Sequence, residues 1–108
     1  MNIAYDKLVR DKIPEIIEAA GKKAVTRKAN DAEYPNYLKK KLQEEVEEFL
    51  KSGESGELAD ILEVLIALGN AKGIGFDELL ELAAAKRKNR GGFQERIILV
   101  SVEEEENI

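Results

Sequence analysis

The chain has 108 residues, with 22 acidic against 17 basic side chains, a formal charge of −5, and neither His nor Cys. That length suits one domain with a modest core, and the missing residues exclude thiol nucleophiles, imidazole catalysis, disulfides and the usual zinc sites. Net negative charge argues against general nucleic-acid binding, and any bound metal must be held by oxygen, which selects Mg²⁺, Mn²⁺ or Ca²⁺.

In chain order, Asp11 is placed to cap a first helix that runs to about Ala20 and stops at Gly21, with Pro14 in the first turn, where a missing N–H costs little. Lys23–Lys28 alternates and contains Val and Thr, so it is a candidate strand. Asp31 is placed to cap a second helix, Ala32 to Lys51, with Leu38, Leu42, Val46, Phe49 and Leu50 as its apolar stripe. Ser52–Ser55 is a tight loop, which implies antiparallel neighbours. Ser55 then caps a third helix, Gly56 to Lys72, ended by Gly73. From Leu58 to Ala71 its polar residues are Asp60, Glu63 and Asn70. A helix apolar nearly all round is expected at the centre of a bundle. A fourth helix spans Phe76 to Asn89. Glu95–Val102 reads as a strand, a candidate partner for Lys23–Lys28. The expected fold class is therefore all-α, a four-helix bundle with a short two-stranded β-ribbon, over residues 1–102, followed by an acidic tail at 103–108.

The chemistry is concentrated in two acidic segments, Glu44-Glu45-Val46-Glu47-Glu48 and Glu57-Leu58-Ala59-Asp60. On a helical wheel with Leu42 at zero, Glu45 falls at about −60°, Glu48 at about −120° and Glu44 at about −160°, whereas Glu47 falls at about +140°. Glu44, Glu45 and Glu48 share one arc beside the apolar stripe; Glu47 is the bystander. Glu57 and Asp60 are three apart on the third helix, with Val64 one turn beyond Asp60, so Asp60 is expected in an apolar surface. An ordinary solvated acidic face would explain Glu44–Glu48 alone. It does not explain Asp60, because carboxylates ~6 Å apart repel by about 3 kcal/mol at an effective dielectric of ~20. A hard divalent cation offsets that repulsion. Mg²⁺ usually keeps waters and takes substrate phosphates, so the pattern points to phosphoryl chemistry on a polyphosphate.

Phosphates also call for cations. Lys86 and Arg90 continue the row of Leu79 and Ala83 on the fourth helix, and Lys7, Arg10 and Lys12 form a second basic group. Both groups are candidates for substrate phosphate. Helix-end stabilisation is the other reading of the first, and an exposed basic face the other reading of the second.

Taken together, Glu44-Glu45-x-x-Glu48 and Glu57-x-x-Asp60 resemble the signature of the MazG-like, all-α nucleoside triphosphate pyrophosphohydrolase superfamily, which includes MazG, dimeric dUTPases and phosphoribosyl-ATP pyrophosphohydrolase. The opening Tyr5-x-Lys7-Leu8-Val9-Arg10-Asp11-Lys12-Ile13-Pro14, with Lys39–Phe49, Glu57–Glu63 and Arg90-Gly91-Gly92-Phe93, resembles a branch described as house-cleaning pyrophosphatases. The resemblance implies Glu45, Glu48, Glu57 and Asp60 as Mg²⁺ ligands (Mn²⁺ is the alternative metal). It implies Glu44 as the catalytic glutamate that helps a second metal or orients the attacking water. It also implies a nucleoside triphosphate, plausibly a non-canonical one, cleaved to monophosphate and pyrophosphate, and a four-helix core completed in a homodimer or higher homo-oligomer. Only eight residues separate Glu48 from Glu57, a shorter interval than in many members.

Phosphoribosyl-ATP hydrolysis is the alternative enzyme, and a non-catalytic metal- or nucleotide-binding helical module the alternative outside enzymes. No run reaches the roughly 18 apolar residues of a membrane span, and MNIAYDKLVRDK lacks the apolar region of a secretion signal. The expectation is a cytoplasmic protein with no membrane or nucleic-acid partner.

Overall fold

The helices begin and end close to where the sequence places them. The computed structural model describes residues 2–104, and among these all the regular structure is helical: α1 (Ile13–Ala19), α2 (Tyr34–Ser52), α3 (Ser55–Ala71) and α4 (Phe76–Arg90). Pro14 and Pro35 lie in first turns, as expected. None of the four helices is long and apolar enough to cross a membrane. Residues 105–108, most of the expected acidic tail, lie outside the described residues.

The starts differ from expectation. Neither Asp11, Asp31 nor Ser55 caps a helix: the N-cap positions are Lys12, Glu33 and Glu54, and none makes a side-chain cap bond. The turn into α2 is held by Asn30 instead. Its Oδ1 accepts from the Glu33 N–H at 2.9 Å, and its own N–H donates to Glu33 Oε1 at 3.2 Å. These reciprocal bonds are those of a capping box. Residues at the ends of α2 and α3 behave as read. Gly53 takes φ 67° and its N–H closes on Phe49 O at 2.7 Å, which ends α2 and leaves two residues before α3. Gly73 takes φ 79°, with its N–H bonded to Asn70 O at 3.0 Å and the Ile74 N–H to Gly69 O at 2.8 Å. This is the pair of bonds of a Schellman motif.

The chain divides into two compact units, Met1–Phe76 and Asp77–Ile108. In the first unit helix packing is confined to α2 against α3, the antiparallel pair that the short loop requires. Its buried residues on these helices are Leu38, Glu45, Val64 and Gly69. Leu42 and Phe49 of the α2 stripe are half-buried, but Leu50 is 75% exposed. The buried arc of α2 is thus turned from the stripe's centre toward Glu45. The expectation that α3 is buried on most sides is corrected too. Val64 faces α2, while Leu58, Leu62 and Leu65, on one line, are 51%, 46% and 38% exposed.

The second unit contains α4 and the segment after it. None of the α4 residues is buried. The expected β-ribbon is absent: neither Lys23–Lys28 nor Glu95–Val102 forms a strand among the described residues. The reason is physical. Two short strands hold together only with an apolar face to bury, and Val25, Ile97, Ile98 and Val100 all remain exposed.

Gly73 offers a direct test of the α3 terminus. Nothing lies within 4 Å of where its Cβ would stand, so substitution acts through backbone conformation alone. Gly73→Ala should lower unfolding stability by about 1–2 kcal/mol, read as a shifted denaturant midpoint with an unchanged slope.

Candidate metal centre

The α2–α3 pairing decides which acidic residues meet. Glu45, two turns after Leu38 on the buried arc of α2, is 7% exposed. Across the loop, Glu57 and Asp60 stand on the arc of α3 that carries Val64, and both are half-buried. One carboxylate oxygen from each of Glu45, Glu57 and Asp60 lies within 4.8 Å of the other two. Three of the four residues expected as ligands therefore converge.

Glu48 is placed differently. It is exposed and outside this three-residue group, one turn further along α2, but close enough for its charge to act on Glu57. Glu47 points away as expected; it is exposed and accepts a bond from Gln43 Nε2 at 3.3 Å. Glu44 also stands apart from the group. It accepts from Lys7 Nζ at 3.1 Å and Lys41 Nζ at 3.2 Å. Partial burial would raise its carboxyl, but the two ammonium groups outweigh that and hold it below the ordinary glutamate value.

Lys41 is the residue that sequence reasoning missed. Its Nζ stands 3.2 Å from Glu44 and 3.3 Å from Glu45, at i,i+3 and i,i+4. Burial would lower its ammonium, yet the two carboxylates raise it above the usual lysine value. The spacing was legible, since residues three and four apart share a helix face; its significance depended on the burial of Glu45. Even with Lys41 in place, Glu45 Oε2 is buried and has no hydrogen-bond partner among the described residues. A buried carboxylate oxygen left unsatisfied is costly.

The segment before α1 brings two further cations. Arg10 Nη2 donates to Asp60 Oδ1 at 2.7 Å, and Lys7 meets Glu44 as above. Lys12 is exposed at the N-cap of α1 and makes no ion pair among the described residues. The segment is tied to α2 through Tyr37, whose hydroxyl donates to Asp6 Oδ1 at 2.9 Å and accepts from Arg27 Nη2 at 3.1 Å. The bond to Asp6 raises the Tyr37 hydroxyl above its usual value. Arg27 also pairs with Glu33, so one network joins residue 6, residue 27 and the first turn of α2.

In the second unit Lys86 and Arg90 keep the row read from sequence. With Ala83, Arg87, Gly91, Gly92 and Phe93 they line a concavity of about 410 Å³.

Electrostatically, Glu57 is the least comfortable member of the acidic group. Desolvation raises its carboxyl, and the charges of Glu48, Asp60 and Glu45 raise it further. A raised carboxyl destabilises the fold where it must be ionised, and that penalty vanishes below the ordinary glutamate pKa, where folded and unfolded chains are both protonated. In EDTA, Glu57→Gln should therefore raise the melting temperature at neutral pH, with the gain shrinking as the pH falls toward the ordinary glutamate value. A gain independent of pH would assign the effect to packing. By contrast, Lys41→Met removes an ion-pair partner of a buried carboxylate and should cost about 1–3 kcal/mol near neutral pH, measured by chemical denaturation.

No family model, no curated protein and no solved structure matches the chain, so the residues and their geometry carry the functional reading.

Proposed function

We propose that this chain is a magnesium-dependent nucleoside triphosphate pyrophosphohydrolase of the MazG-like kind, which cleaves between the α and β phosphates to give a nucleoside monophosphate and pyrophosphate. The observation that carries the reading is the unpartnered, buried Glu45 Oε2 beside Glu57 and Asp60. An all-oxygen donor set of three carboxylates fits a hard divalent cation, Mg²⁺ or Mn²⁺, and fits no soft metal. The sequence signature supports the same reading.

Glu45, Glu57 and Asp60 would hold the metal, with Glu48 one turn away as the further ligand from α2. The metal's contribution is to offset negative charge on the phosphates and to favour a water-derived nucleophile. Glu44 is kept ionised by Lys7 and Lys41, which suits a residue that accepts a hydrogen bond from the attacking water and orients it. Lys41 holds Glu45 and Glu44 in register along α2. Arg10, on Asp60, and Lys7, on Glu44, are the basic side chains that the segment before α1 brings to these carboxylates, and they are candidates for phosphate contact. Lys86, Arg90 and Lys12 are further candidates for phosphate contact.

The line of Leu58, Leu62 and Leu65 supports self-association, because a row of half-exposed leucines on an otherwise apolar helix gains by burial at about 25 cal/mol per Å². A homodimer would cover this face of α3 and complete a bundle. The protein is read as acting in the cytoplasm, on small nucleotides.

The reading is tested by product analysis on a panel of normal and modified nucleoside triphosphates. With Mg²⁺, at least one should yield pyrophosphate as first product, and EDTA should abolish release. Orthophosphate as first product would overturn the reaction class, and metal binding without turnover of any triphosphate would leave the non-catalytic module. Glu45→Gln and Asp60→Asn should each lower kcat at least about a hundredfold, as loss of ~3 kcal/mol of transition-state stabilisation requires, while Glu47→Gln stays within twofold. For Lys86→Ala and Arg90→Ala, a raised KM with unchanged melting temperature supports phosphate contact. Unchanged kinetics with a stability loss of about 0.3–1 kcal/mol assigns both to the end of α4.

A further inference from the structure

Asp60 is one of three carboxylates drawn together between α2 and α3, and it accepts a hydrogen bond from Arg10 Nη2 at 2.7 Å. We propose that Arg10 is an internal stand-in for the cation: it neutralises Asp60 while the metal is absent and is released to the substrate's phosphates when the metal arrives, so that metal binding prepares nucleotide binding. This deepens the metal-site reading above and rests on it.

Three features carry the inference. The first is the distribution of charge. Glu45 has Lys41, but its Oε2 has no hydrogen-bond partner among the described residues, and Glu57 and Asp60 each bring a carboxylate oxygen within 4.8 Å of it. Arg10 is the cation that another segment of the chain supplies to this group, and a divalent ion centred on the three carboxylates would compete for the same Asp60 charge. The second is exchangeability. The Arg10 and Asp60 side chains are 53% and 38% exposed, and an exposed ion pair is weakly held. Its release requires no unpacking.

The third is that the backbone around Arg10 is held independently of this ion pair. Leu8 and Val9 are half-buried, Asp6 is bound by Tyr37, and Arg10 O accepts from the Ile13 N–H at 3.0 Å. The side chain can therefore let go of Asp60 while its Cα stays beside the metal group. A guanidinium suits the second task, since its planar fork meets two phosphate oxygens at once. Lys7 differs. Its partner Glu44 lies outside the three-carboxylate group, so metal binding gives it no reason to move.

The competing arrangement is that Arg10 stays on Asp60 as an outer partner of a metal ligand, since a carboxylate has oxygen lone pairs for both. The two are separated by following the Arg10 side-chain Nε–Hε resonance of the full chain, assigned by its loss in Arg10→Ala, while Mg²⁺ and then inorganic tripolyphosphate are added. Release predicts a restrained signal without metal, a mobile one with Mg²⁺ alone, and a restrained signal again with Mg²⁺ and tripolyphosphate. A signal that stays restrained throughout overturns the proposal.

Calorimetry adds a second readout. Arg10→Ala should bind Mg²⁺ about two- to fivefold more tightly, because an exposed internal competitor is gone, yet bind tripolyphosphate with Mg²⁺ at least tenfold more weakly. Lys39→Ala, which removes the same charge from an exposed position, should change neither. Equal gains in Mg²⁺ affinity in both variants would reduce the effect to net charge and overturn the proposal. Wild-type protein that binds no Mg²⁺ overturns the metal site together with it. Mg²⁺ binding that is lost in Glu45→Gln, with an Arg10 signal that never moves, overturns this inference and leaves the metal site standing.

Discussion

Glu45 brings a carboxylate into the α2–α3 interface, where water cannot satisfy it, and the surrounding ionisable groups are arranged around that charge. Lys41, one turn back on the same helix, takes one of its oxygens; the other has no partner among the described residues. Two carboxylates from α3 then approach instead of a cation. Like charges drawn this close repel one another, and an accumulation of them calls for a counter-charge from outside the helix pair.

The N-terminal segment supplies that counter-charge. Its route over α2 is fixed by the Tyr37–Asp6 bond and by half-buried Leu8 and Val9, and this delivers Lys7 to Glu44 and Arg10 to Asp60. The arrangement is graded. Glu44, with two ammonium partners, is held in its ionised form, while Glu57, with acidic neighbours, is pushed toward its protonated form. Carboxylates within one short hairpin thus have opposite tendencies.

The hairpin also carries a row of exposed leucines, Leu58, Leu62 and Leu65. α3 has its chemistry on the arc that faces α2 and a leucine row on a different arc, so the helix that holds Glu57 and Asp60 is the one best suited to a second apolar contact. A partner copy on that row would restrict the motion of α3 and thereby hold the carboxylate spacing.

Much of this was legible in the residues themselves, for local reasons. The helices, the proline positions, the stops at Gly21 and Gly73, the tight antiparallel loop and the outward direction of Glu47 follow from backbone chemistry and a period of 3.6 residues, which act within one or two turns. The i,i+3 and i,i+4 spacings likewise set which carboxylates share an arc. Local spacing could not settle the caps, where Asn30 competes with Asp31 one residue away, nor the strands, which depend on a face to pack against. Only the tertiary structure decided how far α2 rotates against α3, and that rotation buries Glu45, leaves Glu48 at the edge and turns Lys41 from a surface lysine into the partner of a buried acid. It also decided that Arg10, fifty residues from Asp60 in sequence, reaches it and Lys12 does not. Such pairings depend on the path of the chain through space, and side-chain periodicity holds no information about that path.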